Sequence, residues 1–75
     1  MITTHESNFD SSMIEKCFYD FTKNTLKVKF NGGQIYEYEN VETKVYEDFC
    51  MAESTGKYFI ENIRNNYEYT QLITE

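Results

Sequence analysis

The stretch T-L-K-V-K-F-N-G-G-Q-I-Y-E-Y-E-N, residues 25–40, decides the fold. Leu26, Val28 and Phe30 alternate with Lys27 and Lys29, the two-residue period of a strand with one buried face. Asn31-Gly32-Gly33 breaks the run with residues that tolerate positive φ. Alternation then resumes, with Tyr36 and Tyr38 on one face and Ile35, Glu37 and Glu39 on the other. This is a β-hairpin, and charge fixes its register. A two-residue loop would set Leu26 and Val28 on the face that carries Glu37, and a buried, unpaired carboxylate costs several kcal/mol. A three-residue loop over residues 31–33 instead pairs Phe30 with Gln34, Val28 with Tyr36 and Leu26 with Tyr38, with Gly33 in the left-handed position. It also sets Lys27 opposite Glu37, a cross-strand pair worth roughly 0.2–1 kcal/mol. Ile35 is left on the charged face, the one defect of this arrangement.

Upstream, M-I-E-K-C-F-Y-D-F over residues 13–21 is rich in strand formers, but its alternation is muddled because Glu15 and Lys16 fall on opposite faces. It reads as a strand whose buried face the sequence does not select, followed by a turn over residues 20–24. Residues 1–10 are polar apart from Ile2 and Phe9 and read as a flexible arm, with a short edge strand as the alternative. Downstream the period changes. Val41, Val45, Phe49 and Ala52 recur at helical spacing, so residues 42–52 read as a short amphipathic helix. Ser54 is placed to cap a second helix over residues 57–65, whose apolar face is Phe59, Ile60 and Ile63. Residues 67–73 alternate weakly and read as a last strand, with extension of the preceding helix as the competitor. The expected architecture is α+β: a three-stranded antiparallel meander, two short helices on one sheet face, and a possible C-terminal strand.

Composition bounds what such a chain can be. At 75 residues and 9.0 kDa there is room for a single domain, over residues 11–75, after the arm. Thin cores need bulky groups, and seven Tyr with six Phe supply them. Their rings are expected inside with the hydroxyls at the rim. Thirteen acids against seven bases give a net charge of −6, which disfavours a broad nucleic-acid surface. No apolar run reaches the roughly 18–20 residues of a membrane span, and the first residues lack the basic and apolar regions of a secretory signal. Two cysteines, Cys17 and Cys50, suit neither a disulfide scaffold nor a metal site and read as small core members. A cytoplasmic setting with reduced thiols is the expectation.

An ordered set of residues carries a family resemblance: Ser11-Ser12-x-Ile14, Tyr19-Asp20, Leu26-x-Val28-x-Phe30, Gly32 or Gly33, Tyr36-x-Tyr38 and Val41, then Val45-Tyr46, Ala52-x-Ser54-x-Gly56-x-x-Phe59 and Ile63-Arg64. Over residues 11–67 the chain resembles the KTSC domain, found at the C-terminus of some lysyl-tRNA synthetases and as small stand-alone proteins of bacteria and phages. Glu42 departs from the proline that often follows the valine in that family, which bears on helix initiation. The family has no established activity, and an RNA-binding role has been suggested for it. The resemblance therefore implies a fold far more than a function.

Candidate binding residues are few. Tyr36 and Tyr38 are the rings available for stacking on a base, against the plainer reading that they are the hairpin's share of the core. Lys27, Lys29 and Arg64, with Lys16, Lys23 and Lys57, are the cations near the sheet, against the plainer reading of a solvated face paired to Glu37 and Glu39. Ser54, Gly56 and Lys57 resemble a phosphate loop only superficially, lacking its full motif, and helix capping explains Ser54. Arg64 also suits a helix C-terminus tied to a nearby acid. His5 lies in the arm with no base beside Ser or Cys, so no nucleophilic constellation forms, and no cofactor or metal is implied. The expected role is a small non-enzymatic binding module acting by protein–protein interaction, of the kind a phage inhibitor of a host factor would use. The alternative is an RNA- or nucleotide-binding module built on Tyr36 and Tyr38. Sheet edges leave homo-oligomers open in either case.

Overall fold

In the computed structural model, which describes residues 3–73, the order along the chain is β1 (Thr4–Asn8), β2 (Ile14–Asp20), β3 (Thr25–Phe30), β4 (Ile35–Tyr38), α1 (Thr43–Met51), α2 (Thr55–Asn62) and β5 (Tyr69–Ile73). The five strands form one antiparallel sheet in sequence order. The expected three-stranded meander is its centre, β2 to β4. Strand β5 is the last strand foreseen, and the rival helix extension does not form.

The central hairpin has the register that charge dictates. Leu26 faces Tyr38, Lys27 faces Glu37 and Val28 faces Tyr36. Gly33 adopts φ 96°, its N–H donating to the Phe30 carbonyl while the Phe30 N–H donates to Gln34, which closes the three-residue loop. Asn24 supplies a second left-handed residue, φ 56°, in the β2–β3 turn. There Asp20 Oδ1 accepts from the Thr22 hydroxyl and from the Thr22 and Lys23 amides, and these bonds, the Thr22 hydroxyl first, hold its carboxyl below the usual value.

Strand β2 explains its own muddled pattern. The pairing with β3 shifts between Ile14 and Lys16, so one extra residue enters the strand. Ile14, Cys17 and Tyr19 thereby share the buried face although their spacing is odd. The flexible arm expected over residues 1–10 is corrected for Thr4–Asn8, which pair along β2 from Thr4↔Asp20 to Asn8↔Lys16. A polar sequence can serve here because an edge strand needs backbone partners more than burial. Met1 and Ile2 lie outside the described residues.

Both helices cover one sheet face. Helix α1 turns Tyr46 and Phe49 inward, with Val45 on its shoulder, and α2 turns Phe59 inward, with Ile63 buried just beyond its end. Helix α2 begins two residues earlier than expected, since Ser54 Oγ accepts the Lys57 N–H at 3.3 Å. Ile60, expected on the apolar face, is 46% exposed. Rings dominate the core: Tyr19 stacks on Tyr46 with centroids 4.6 Å apart, and Phe59 meets Phe30 and Tyr38 edge-on. The expectation that phenol oxygens sit at the rim is corrected at two positions. Tyr19 is fully buried, its hydroxyl donating to the Val41 carbonyl at 2.6 Å and accepting from Asn24 Nδ2 at 2.9 Å. The Tyr46 hydroxyl is met by His5 Nδ1 at 2.6 Å and Ser7 Oγ at 3.0 Å. Internal partners make this burial affordable.

Gly33→Ala forces a Cβ into the left-handed region and should lower stability by about 1–2 kcal/mol, about 4–8 °C in Tm per kcal/mol for so small a domain. Gly32→Ala should cost far less, because its Cβ meets only the flexible Gln34 amide end. Thermal denaturation followed by circular dichroism checks both; equal losses would contradict the loop geometry.

Candidate ligand-binding cleft

Strand alternation sorts the candidate residues to two sides of the sheet. Tyr36 and Tyr38 point with Val28 and Leu26 toward the helices. Tyr38 is core, 2% exposed, and burial, aided by the neighbouring Tyr36 and Tyr69 phenols, pushes its hydroxyl up to about 12. Tyr36 is half-buried at the core's margin. Lys27 and Lys29 lie on the opposite face, Lys27 across from Glu37 and Lys29 ion-paired to Glu15 at 3.6 Å. Rings and lysines are thus separated by the sheet itself. Lys29 lies across from Lys16 and pairs with Glu15, and among the described residues neither lysine forms an ion pair with Glu37 or Glu39.

Ser54, Gly56 and Lys57 stand apart from both groups. Ser54 is spent on the α2 cap, Gly56 packs near Ser11 and Met13, and the Lys57 side chain is exposed. The depression beside Ser54 also carries Asp10 and Glu53, which would repel a phosphate.

A cleft of about 640 Å³ opens where β4, β5, the β3–β4 loop and the end of α2 meet. Its apolar wall is Phe30, Tyr36, Tyr69 and Ile60. Tyr36 and Tyr69 stack with centroids 5.3 Å apart and planes 18° apart, and Phe30 meets Tyr36 edge-on at 5.6 Å. Tyr69 lies beside both Tyr36 and Tyr38 and remains 55% exposed. Amides line the rim: Asn31 and Gln34 from the loop and Asn65 after α2. Arg64 joins them from the same turn, its N–H bound to the Phe59 carbonyl at 2.9 Å. The expectation that Arg64 is tied to an acid is corrected: among the described residues it makes no ion pair. Among the described residues, none that lines this cleft carries a carboxylate. Such a space can hold a flat group on the tyrosines and an anionic group on the guanidinium. Of the candidates read from sequence, Tyr36, Tyr38 and Arg64 meet here. Tyr69, Ile60 and the three amides were not foreseen; the only signal was the weak alternation of the last strand.

At the opposite edge of the sheet a second polar cluster forms. Ser7 Oγ lies 3.0 Å from the Tyr46 hydroxyl and 3.4 Å from Cys50 Sγ, with His5 Nδ1 on the same phenol. The isolation expected of His5 is corrected by the pairing of β1. The cluster lacks a ready nucleophile in Cys17 and Tyr46. Burial above all pushes the Cys17 thiol up to about 12, and likewise raises Tyr46. Its bonds fasten β1 to α1.

Comparison with known proteins places this geometry in a class of small α+β domains. The KTSC domain profile matches residues 10–67, and the chain belongs to the KTSC domain family. It is similar to the lysine–tRNA ligases of Trichormus variabilis and of a Nostoc species, 36% and 38% identical over 63 residues. The match takes in 84% of this chain but 11% of each ligase, so the chain spans about a ninth of those relatives. It is also 30% identical over 63 residues to a protein of Stutzerimonas stutzeri, of which it covers 89%. A KTSC domain protein of Yersinia pestis has the same fold, with a TM-score of 0.86 at 24% identity, over 93% of this chain and 99% of that one.

With Cys17 fully buried and protonated, iodoacetamide at mildly alkaline pH should label Cys50 alone in the folded protein and both thiols in denaturant, as read by intact mass. Labelling of both at similar rates in the folded state would contradict the packing of β1 and α1 over Cys17.

Proposed function

We propose that the domain is a non-enzymatic binding module whose cleft takes a nucleotide unit, a base on the Tyr69–Tyr36 stack and its phosphate on Arg64. The observation that carries this is the composition of the cleft among the described residues: stacked phenols, amides and a guanidinium with no ion pair and no carboxylate beside it, in a chain of net charge −6. Aromatic faces accept any base by stacking, worth roughly 1–3 kcal/mol per base, while amides read polar base edges. The C-terminal carbonyls of α2 disfavour an anion, which makes Arg64 the group on which a phosphate depends. RNA is the first source of such units to try, since tRNA stands in the name of the ligases this chain is similar to. Acidity elsewhere fits a module that holds one or two nucleotides and repels a longer backbone.

The acid excess favours a second reading, a basic protein partner drawn by charge, the setting of the phage-inhibitor idea. It makes a different demand: binding should then follow the acidic surface and be indifferent to Arg64.

Fluorescence anisotropy with labelled mononucleotides and short single-stranded RNA separates the two. Tyr69→Ala and Arg64→Ala should each weaken binding by about tenfold or more, and Lys27→Ala and Lys29→Ala should leave it unchanged. With one cation engaged, the logarithm of affinity should fall with log salt at a slope of roughly −0.7. No binding up to about millimolar ligand, or loss at the lysines in place of the cleft, would overturn the proposal.

A further inference from the structure

We propose that two copies of this chain join through β5, antiparallel, into one continuous ten-stranded sheet. The sheet order leaves β1 and β5 as its edges, and each edge strand offers backbone groups to a further strand. Edges that remain single are usually guarded by charge, proline or a bulge. Strand β5 has neither charge nor proline, since Y-T-Q-L-I carries no carboxylate, lysine or arginine from Tyr69 to Ile73; its one irregularity is a register shift against β4 that leaves Leu72 as an extra residue. Tyr69 and Leu72 stand 55% and 44% exposed on it, two of the five large hydrophobic side chains that the described residues leave open to solvent.

The identity of the occupant follows from symmetry. An isologous antiparallel pair sets a strand against itself about its central residue, so each side chain near the axis meets its own kind or its mirror position. On β1 the centre is Glu6, and self-pairing would bring two carboxylates face to face. On β5 the centre is Gln71, and no like charges meet. Strand β5 is neutral on an acidic chain, so it offers a basic partner no charge to read, whereas a second neutral edge suits it. The two-fold axis of such a pair is normal to the sheet and keeps both helix pairs on one side. The two Tyr69 residues then lie on opposite sides of the axis, with a cleft beside each. The pairing is independent of what the clefts bind.

Sedimentation equilibrium from micromolar to submillimolar protein tests this without any ligand. The wild-type chain should approach twice its 9.0 kDa mass as concentration rises. Leu72→Lys, which puts a charge on the exposed edge, should stay at monomer mass with an unchanged circular dichroism spectrum, while Glu6→Lys on the other edge should still dimerise. Independent of any variant, amide hydrogen exchange over residues 69–72 should slow as protein concentration rises. A wild-type chain that stays monomeric throughout, or a dimer that survives Leu72→Lys with exchange at β5 unaffected, would overturn the inference.

Discussion

Everything in this domain follows from the three-residue turn that joins β3 to β4. With Gly33 at positive φ, Val28 meets Tyr36 and Leu26 meets Tyr38, so both tyrosines turn toward the helices, while Lys27 meets Glu37 on the open face. A slip by one residue would exchange these sets, because side chains alternate with a period of two. Glu37 would then enter the core and the tyrosines would stand in water beside the lysines. The cleft exists because that exchange is prevented: Tyr36 is held at the margin of the core, where Tyr69 of the neighbouring strand can stack on it.

The rest of the fold solves a problem of size. A 75-residue chain buries little surface, and this one compensates with rings. Phenols bring hydroxyls, and the two deepest are satisfied internally, Tyr19 by Val41 and Asn24, Tyr46 by His5 and Ser7. The second of these pairs also explains why a polar N-terminal strand stays in place. Its side chains supply the partners that a buried phenol of α1 requires, so β1 and α1 depend on each other more than either sequence shows.

The hairpin and both helices were legible because each has a local period that admits one reading. Strand β2 was legible as a strand but not in its facing, since an inserted residue between Ile14 and Lys16 resets the phase, and only pairing with β3 reveals where. Strand β1 was legible only as the alternative to a flexible arm, because its stability comes from a backbone ladder and from long-range bonds to Tyr46 and Cys50, neither of which leaves a hydrophobic pattern. Tyr36 and Arg64 were recognised as candidates, but their grouping with Lys27 and Lys29 was not resolved until the sheet divided them. Tyr69 was the least legible member of the cleft, because it acts through a strand, β5, whose alternation is weak, and its role depends on a partner, Tyr36, thirty-three residues away.

The sheet divides a helix-side aromatic cleft from an opposite charged face, and backbone proximity across the hairpin tests that division most directly. In the register described, the Phe30–Gln34 bonds make Lys29–Ile35 and Lys27–Glu37 the close, non-hydrogen-bonded pairs. A nuclear Overhauser spectrum of the labelled protein should show strong Hα–Hα contacts between Lys27 and Glu37 and between Lys29 and Ile35. Contacts of Lys29 with Gln34 and of Lys27 with Tyr36 in their place would put the tyrosines on the wrong face and contradict the account.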